Sequence, residues 1–167
     1  MKRLLLLLTL GLALAACSSA PERPTSTVVL VPRVMPYDQD AANDAIRREC
    51  SFPVYVPQQI AEIAADHGIN VQLVDGDLQN MSGRVLLIKT VYADAIGGGG
   101  YTGKKSARIR GELRENGQVL GDFDIQRHTG RSWTACGSLE KVGHALAGNV
   151  VAFLRKPQMG VRLGLDR

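Results

Sequence analysis

The sequence predicts an α+β domain, in which a mostly antiparallel sheet of about five strands carries two helices packed on one face. Three observations lead there. Two segments, 57–67 and 136–156, carry apolar residues at helical spacing. Several short β-branched runs stand between them, two of them flanking an Asn-Gly pair. The chain is 45% hydrophobic but only 5% aromatic, so one core of ordinary size must be filled by aliphatic side chains.

Thr27 to Val31 is a β-branched run stopped by Pro32, and reads as the first strand. Residues 32–56 hold Pro32, Pro36 and Pro53 and no sustained period; they read as irregular, with a short helix around Ala41–Arg48. Pro57 to His67 reads as the first clear helix. Pro57 suits the first helical position, Ile60, Ile63 and Ala64 share a face, and Gly68 stands where a C-capping glycine belongs. Ile69 to Val74 is a strand that follows at once. Val85 to Ile96 is longer and apolar on both faces near its start, which predicts a central strand covered on both sides there. Cys136 to Lys156 is the last helix, with Leu139, Val142, Leu146, Val150 and Phe153 as its apolar stripe. Gly143 and Gly148 weaken it. Arg155 and Lys156 place positive charge where the helix dipole favours it, and Pro157 ends it. No internal repeat is present.

Glu115-Asn116-Gly117 separates two alternating segments, a hairpin signal. A two-residue turn at Asn116-Gly117 pairs Ile109 with Asp124 and Arg110 with Phe123, which mixes apolar and charged faces. A three-residue loop with Gly117 in a bulge pairs Leu113 with Val119, Ile109 with Phe123 and Ala107 with Ile125. It also sets Arg110 opposite Asp122 and Arg108 opposite Asp124. Only Leu120 misfits, opposite Glu112. Consistency of the two faces selects the three-residue loop.

The N-terminus is of another kind. Met1-Lys2-Arg3 is positive, and Leu4 to Ala16 is an uncharged run shorter than the roughly 20 residues of a membrane span. It has the length and flanks of a secretory signal. It ends in Leu14-Ala15-Ala16-Cys17, which resembles the lipobox of bacterial lipoproteins. The resemblance implies cleavage before Cys17 and lipid on its thiol and new amino group. Small residues at 15 and 16 let the peptidase approach, and the thiol is the nucleophile for the diacylglyceryl group. Several acyl chains anchor stably where one is marginal. Ser18 stands where an aspartate signals inner-membrane retention, so the resemblance implies the outer membrane, with the domain facing the periplasm. The predicted organisation is a signal peptide at 1–16, a lipidated tether at 17–26 rich in proline and serine, one α+β domain at 27–156, and a loose basic tail at 157–167.

Removing residues 1–16 takes away Lys2 and Arg3 and no acid, so the net charge falls from +4 to +2. That balance argues against nucleic acid as a partner. With Cys17 lipidated, Cys50 and Cys136 remain, an even pair in an oxidising compartment, and are expected to form a disulfide. No C-x-x-C spacing supports a redox site.

Candidate chemistry is sparse. Gly98 to Lys104 matches G-x-x-x-x-G-K, but Lys105 follows where Ser or Thr should hold magnesium, and a strand follows where a helix is needed. Nucleotide binding is not expected; the glycines Gly97–Gly100 are expected to bend or loop the chain between strands, the alternative being a mobile loop that gates a partner surface. Asp122, Asp124 and His128 alternate along one strand, and the hairpin register makes the aspartates part of a solvated charge ladder rather than a metal site. His67 and His144 have no identifiable partner, and no serine lies in a nucleophile motif. No catalytic residue, cofactor or metal ligand is assigned. Lys104, Lys105, Arg108, Arg110 and Arg114 form a basic strip, of which Lys104, Lys105 and Arg108 are the candidates for contact with an anionic partner such as lipid headgroups or a cell-wall polymer.

The element order and the lipobox together resemble small outer-membrane lipoproteins with a TolB-N-terminal-like or CsgG-like α/β sandwich. Gly83–Trp133 and the helix CGSLEKVGHALAGNVVAFL carry the likeness over most of the mature chain. It implies a non-enzymatic envelope protein that binds or helps assemble another envelope component. The alternatives are an auxiliary lipoprotein subunit of an envelope ABC-type transporter and a periplasmic enzyme of unknown reaction.

Overall fold

The computed structural model describes residues 27–95, 105–129 and 134–165. The segments predicted as signal peptide (1–16) and tether (17–26), with the expected lipid site Cys17, lie outside them, as do Gly97–Gly100 and Lys104. The elements in order are β1 (Val29–Pro32), α1 (Asp44–Glu49), α2 (Phe52–Asp66), β2 (Val71–Val74), β3 (Arg84–Asp94), β4 (Lys105–Glu115), β5 (Gln118–Thr129), α3 (Ala135–Arg155) and β6 (Val161–Leu163).

The sheet has six strands in the order β2-β1-β3-β4-β5-β6. It is mixed, not mostly antiparallel as the sequence suggested. β1 pairs parallel with both β2 and β3, and β5 pairs parallel with β6. Only β4 runs against the others, through its antiparallel pairing with β3 and β5. The reason lies in the connections. Helices α1 and α2 carry the chain from β1 to β2, and α3 carries it from β5 to β6, so each returns the chain for a parallel strand. Only the β1–β3 pair joins strands that are not consecutive in sequence.

Local chemistry explains the helix ends. The Asn43 side chain accepts the Ile46 N–H at 2.9 Å and starts α1; Thr134 does the same for Gly137 N–H at 3.1 Å and starts α3. Helix α2 begins before Pro57, at Phe52, with Pro53 in its first turn. Pro57 is therefore interior, where it cannot bond the Pro53 carbonyl. That carbonyl instead accepts the Met35 N–H at 2.9 Å, so the freed acceptor ties the loop after β1 to the helix.

The hairpin turn is also corrected. Glu115 pairs with Gln118, leaving a two-residue turn with Asn116 at φ 50° and Gly117 at φ 84°. Positive φ at both central residues is the hairpin turn that Asn-Gly favours. The bulge lies further on, where the register shifts between Leu113↔Gly121 and Arg114↔Val119. Leu120 is the extra residue. It restores the sorted faces, but the partners become Ile109↔Ile125, Arg110↔Asp124 and Arg108↔Gln126. The segment read as a loose tail is part of the sheet: β6 pairs Phe123, Asp124 and Ile125 with Val161, Arg162 and Leu163.

The core lies between the sheet and the pair α2 and α3. Val31, Leu86, Ile109 and Ile125 from the strands meet Phe52, Ile60, Leu139 and Leu146 from the helices, all essentially inaccessible. Each such side chain contributes about 1.5–3 kcal/mol by leaving water. Phe123 lies across Gly111, whose missing Cβ leaves the ring its place, and meets Phe153 edge to face with centroids 5.0 Å apart. Gly143 has a packing reason too: a Cβ there would sit 3.0 Å from Val56 of α2. Cys50, just before α2, is disulfide-bonded to Cys136 in the first turn of α3, with Cα atoms 5.1 Å apart. The expected bridge is present.

Candidate functional site

The helices cover one face of the sheet. The other face forms the floor of a groove of about 930 Å³, bounded by Pro32, Val34 and Pro36 after β1, by the loop 76–79, and by Leu165 after β6. That volume lies at the upper end of small-molecule sites. The floor is charged because strand alternation sends every second residue of β4 and β5 away from the core.

One row crosses four strands. Lys89 faces Arg110, Arg110 faces Asp124, and Asp124 faces Arg162. Asp124 is 5% exposed. Arg108 holds it through two bonds, Nε to Oδ1 at 2.5 Å and Nη2 to Oδ2 at 2.6 Å; Arg110 adds Nε to Oδ2 at 2.6 Å. Burial alone would raise the Asp124 carboxyl. The hydrogen bonds and charges of Arg108 and Arg110 together outweigh it and hold the carboxyl below the usual carboxylate range. The bonds to Asp124 push the Arg108 guanidinium up in turn. Beside this row, Asp122 accepts the Gly160 N–H at 2.8 Å and pairs with Arg162 at 2.9 Å. The Gly160 N–H first and Arg162 second hold Asp122 low. Lys89 pairs with Asp38 at 2.8 Å, and Arg114 with Glu112.

The predicted site residues do not come together. Arg108 lies in the groove floor, but its partner is Asp124. Lys105 is 4% exposed and shares the alternation of Ala107 and Ile109, which face the helices. Residues at odd and even positions of a strand cannot form one exposed strip, so Lys105 does not extend the Arg108 face. Lys104 lies outside the described residues. The predicted Arg108–Asp124 pair is present, although Arg108 reaches Asp124 diagonally. Arg110 opposite Asp122 is not; Asp122 belongs to Arg162 instead. Asp124 is buried, so the ladder is only partly solvated. Among the described residues no cluster of three or more His, Cys, Asp or Glu could hold a metal ion, and His128 is exposed. Lys89, Asp38 and Arg162 were not singled out in the sequence. The signal for Arg162 was the alternation of Val161-Arg162-Leu163 between two glycines.

No family model matches the chain. No curated protein matches it either. Among solved structures, a Xanthomonas campestris protein of the DUF330 family is similar, at 12% identity and a TM-score of 0.49, over 81% of this chain and 87% of that one. A Helicobacter pylori protein described as a neuraminyllactose-binding hemagglutinin homolog is similar at 11% identity and a TM-score of 0.47, over 79% of this chain and 84% of that one. No helix among the described residues is long and apolar enough to cross a membrane.

Proposed function

We propose that the protein is a lipid-anchored lipoprotein of the outer membrane, facing the periplasm, that binds another envelope component rather than catalysing a reaction. The anchor rests on the order of charge, apolar run, small residues and Cys17. The observation that carries the binding role is the groove on the uncovered sheet face, with its walls partly apolar and its floor cationic and ion-paired. The likeness to TolB-N-terminal or CsgG-like lipoproteins belongs to this proposal.

The experiment is affinity capture of the tagged, lipidated protein from native membranes after mild crosslinking, followed by mass spectrometry. A stoichiometric envelope partner is the expected result. No partner above background removes the assembly role. A Cys17→Ala form tests the anchor separately: it is expected to lose acyl mass and leave the membrane fraction, and retention of both would overturn lipidation at Cys17.

A further inference from the structure

The charges of the groove do not cancel locally. Lys89, Arg114 and Arg162 each have an acid of their own, Asp38, Glu112 and Asp122. Arg108 and Arg110 share one carboxylate, Asp124. The remaining acid of the lining, Asp77, lies in the wall loop and accepts the Gln79 N–H at 2.9 Å. One positive charge is therefore left over in the middle of the floor.

It is centred on Arg110. Arg108 uses Nε and Nη2 on Asp124, whereas Arg110 uses only Nε, and its two Nη groups have no partner among the described residues. The Arg110 side chain is 50% exposed and lines the groove. Arg110 also stands directly opposite Lys89. Like charges opposed across strands destabilise a sheet, and an anion between them relieves that. A guanidinium edge with paired N–H groups is suited to bidentate binding of a carboxylate or phosphate. Beside this point the floor turns apolar at Leu87, and the wall carries Pro32 and Val34; Val34 is 55% exposed.

We infer that the groove binds a small anionic amphiphile, its single carboxylate or phosphate head on the Nη edge of Arg110 beside Lys89, its apolar body along Leu87 and Val34. This deepens the binding role proposed above and rests on it.

The test is calorimetric titration of the full mature chain, in a non-ionic detergent, with hexyl phosphate, hexanoate, inorganic phosphate and hexanol. At least one of the two hexyl anions is expected to bind, and the tighter one identifies the head. Hexanol should bind about tenfold more weakly or worse, as loss of a charged hydrogen-bond pair implies. Inorganic phosphate should also be weaker than hexyl phosphate. Arg110→Gln should weaken the hexyl anion about tenfold while leaving thermal unfolding close to wild type, because Arg108 still holds Asp124 by two bonds. Val34→Ser should weaken hexyl phosphate and leave inorganic phosphate unchanged. No binding of either hexyl anion, or equal binding by Arg110→Gln, overturns the head site. Equal affinity for inorganic and hexyl phosphate overturns the apolar half. Failure of partner capture with hexyl-anion binding intact would remove the assembly role alone.

Discussion

Two glycines of α3 look alike in sequence and differ in what surrounds them. A Cβ on Gly143 would meet Val56 at 3.0 Å and Tyr55 at 3.2 Å, whereas a Cβ on Gly148 would meet nothing within 4 Å. Gly148→Ala should therefore stabilise the protein by about 0.8–1 kcal/mol through helix propensity. Gly143→Val should cost about 1–3 kcal/mol, because α2 and α3 must separate. Urea unfolding of both variants checks this, and equal shifts would contradict the packing assigned to Gly143. Asp124 and Asp122 make a pH prediction. Both carboxyls ionise at lower pH folded than unfolded, so the unfolded chain takes up protons first as pH falls. Their contribution is full above the unfolded value near about 4, and is lost as pH falls through the folded values. Asp124→Asn should lower stability at neutral pH and flatten the acid limb of the stability curve. An acid limb as steep as wild type would mean that Asp124 is not a main source of it.

At the scale of elements, the Cys50–Cys136 bridge ties the N-terminal ends of α2 and α3, whose faces against each other hold much of the core. It closes a loop with a sequence separation of 86. Replacing both cysteines by serine should cost about 2–4 kcal/mol, read as a lower unfolding midpoint in denaturant, while the far-ultraviolet spectrum keeps its helix signal. An unchanged midpoint would show that the bridge contributes nothing beyond the packing. Most elements were legible because amphipathic period and turn residues are local: β1, β2, β3 and α3 stand within a few residues of their sequence positions. The errors share a cause, which is that the deciding contact is distant in sequence. Pro57 looks like a helix start until the Met35 N–H is seen to donate to the Pro53 carbonyl. The bulge could be counted but not placed, although Leu120 was already the residue that did not fit. The tail became β6 because Gly121 lets the backbone of Gln158 pass where a Cβ would lie 2.7 Å from it. The groove was half legible: the arginines and aspartates of β4 and β5 were visible as a ladder, but Lys89 and Arg162 join it only through the sheet order.

On the scale of the whole molecule, the sheet has two unlike ends. Val29, Val71 and Arg84 lie side by side at one end, and Arg84 pairs with Glu115 beside the Asn116–Gly117 turn. The proposed tether joins the domain here. Lys105 and Thr129 pair at the opposite end. The eleven residues of β3 span about 36 Å between the two ends. The nine residues 18–26 can span at most about 30 Å. The proposed lipid on Cys17 would therefore keep the hairpin end nearer the membrane than the Lys105 end. In that orientation the Lys105–Thr129 end of the sheet would lie farther from the membrane than the hairpin turn. Single fluorophores attached at Gln118 and at Thr129 of the lipidated protein in vesicles test the orientation with a headgroup-linked quencher. Quenching should be stronger at Gln118, and should become equal in a form whose tether is lengthened several-fold. Stronger quenching at Thr129 would invert the orientation, and would return the start of β4 to the membrane surface that the basic strip first suggested.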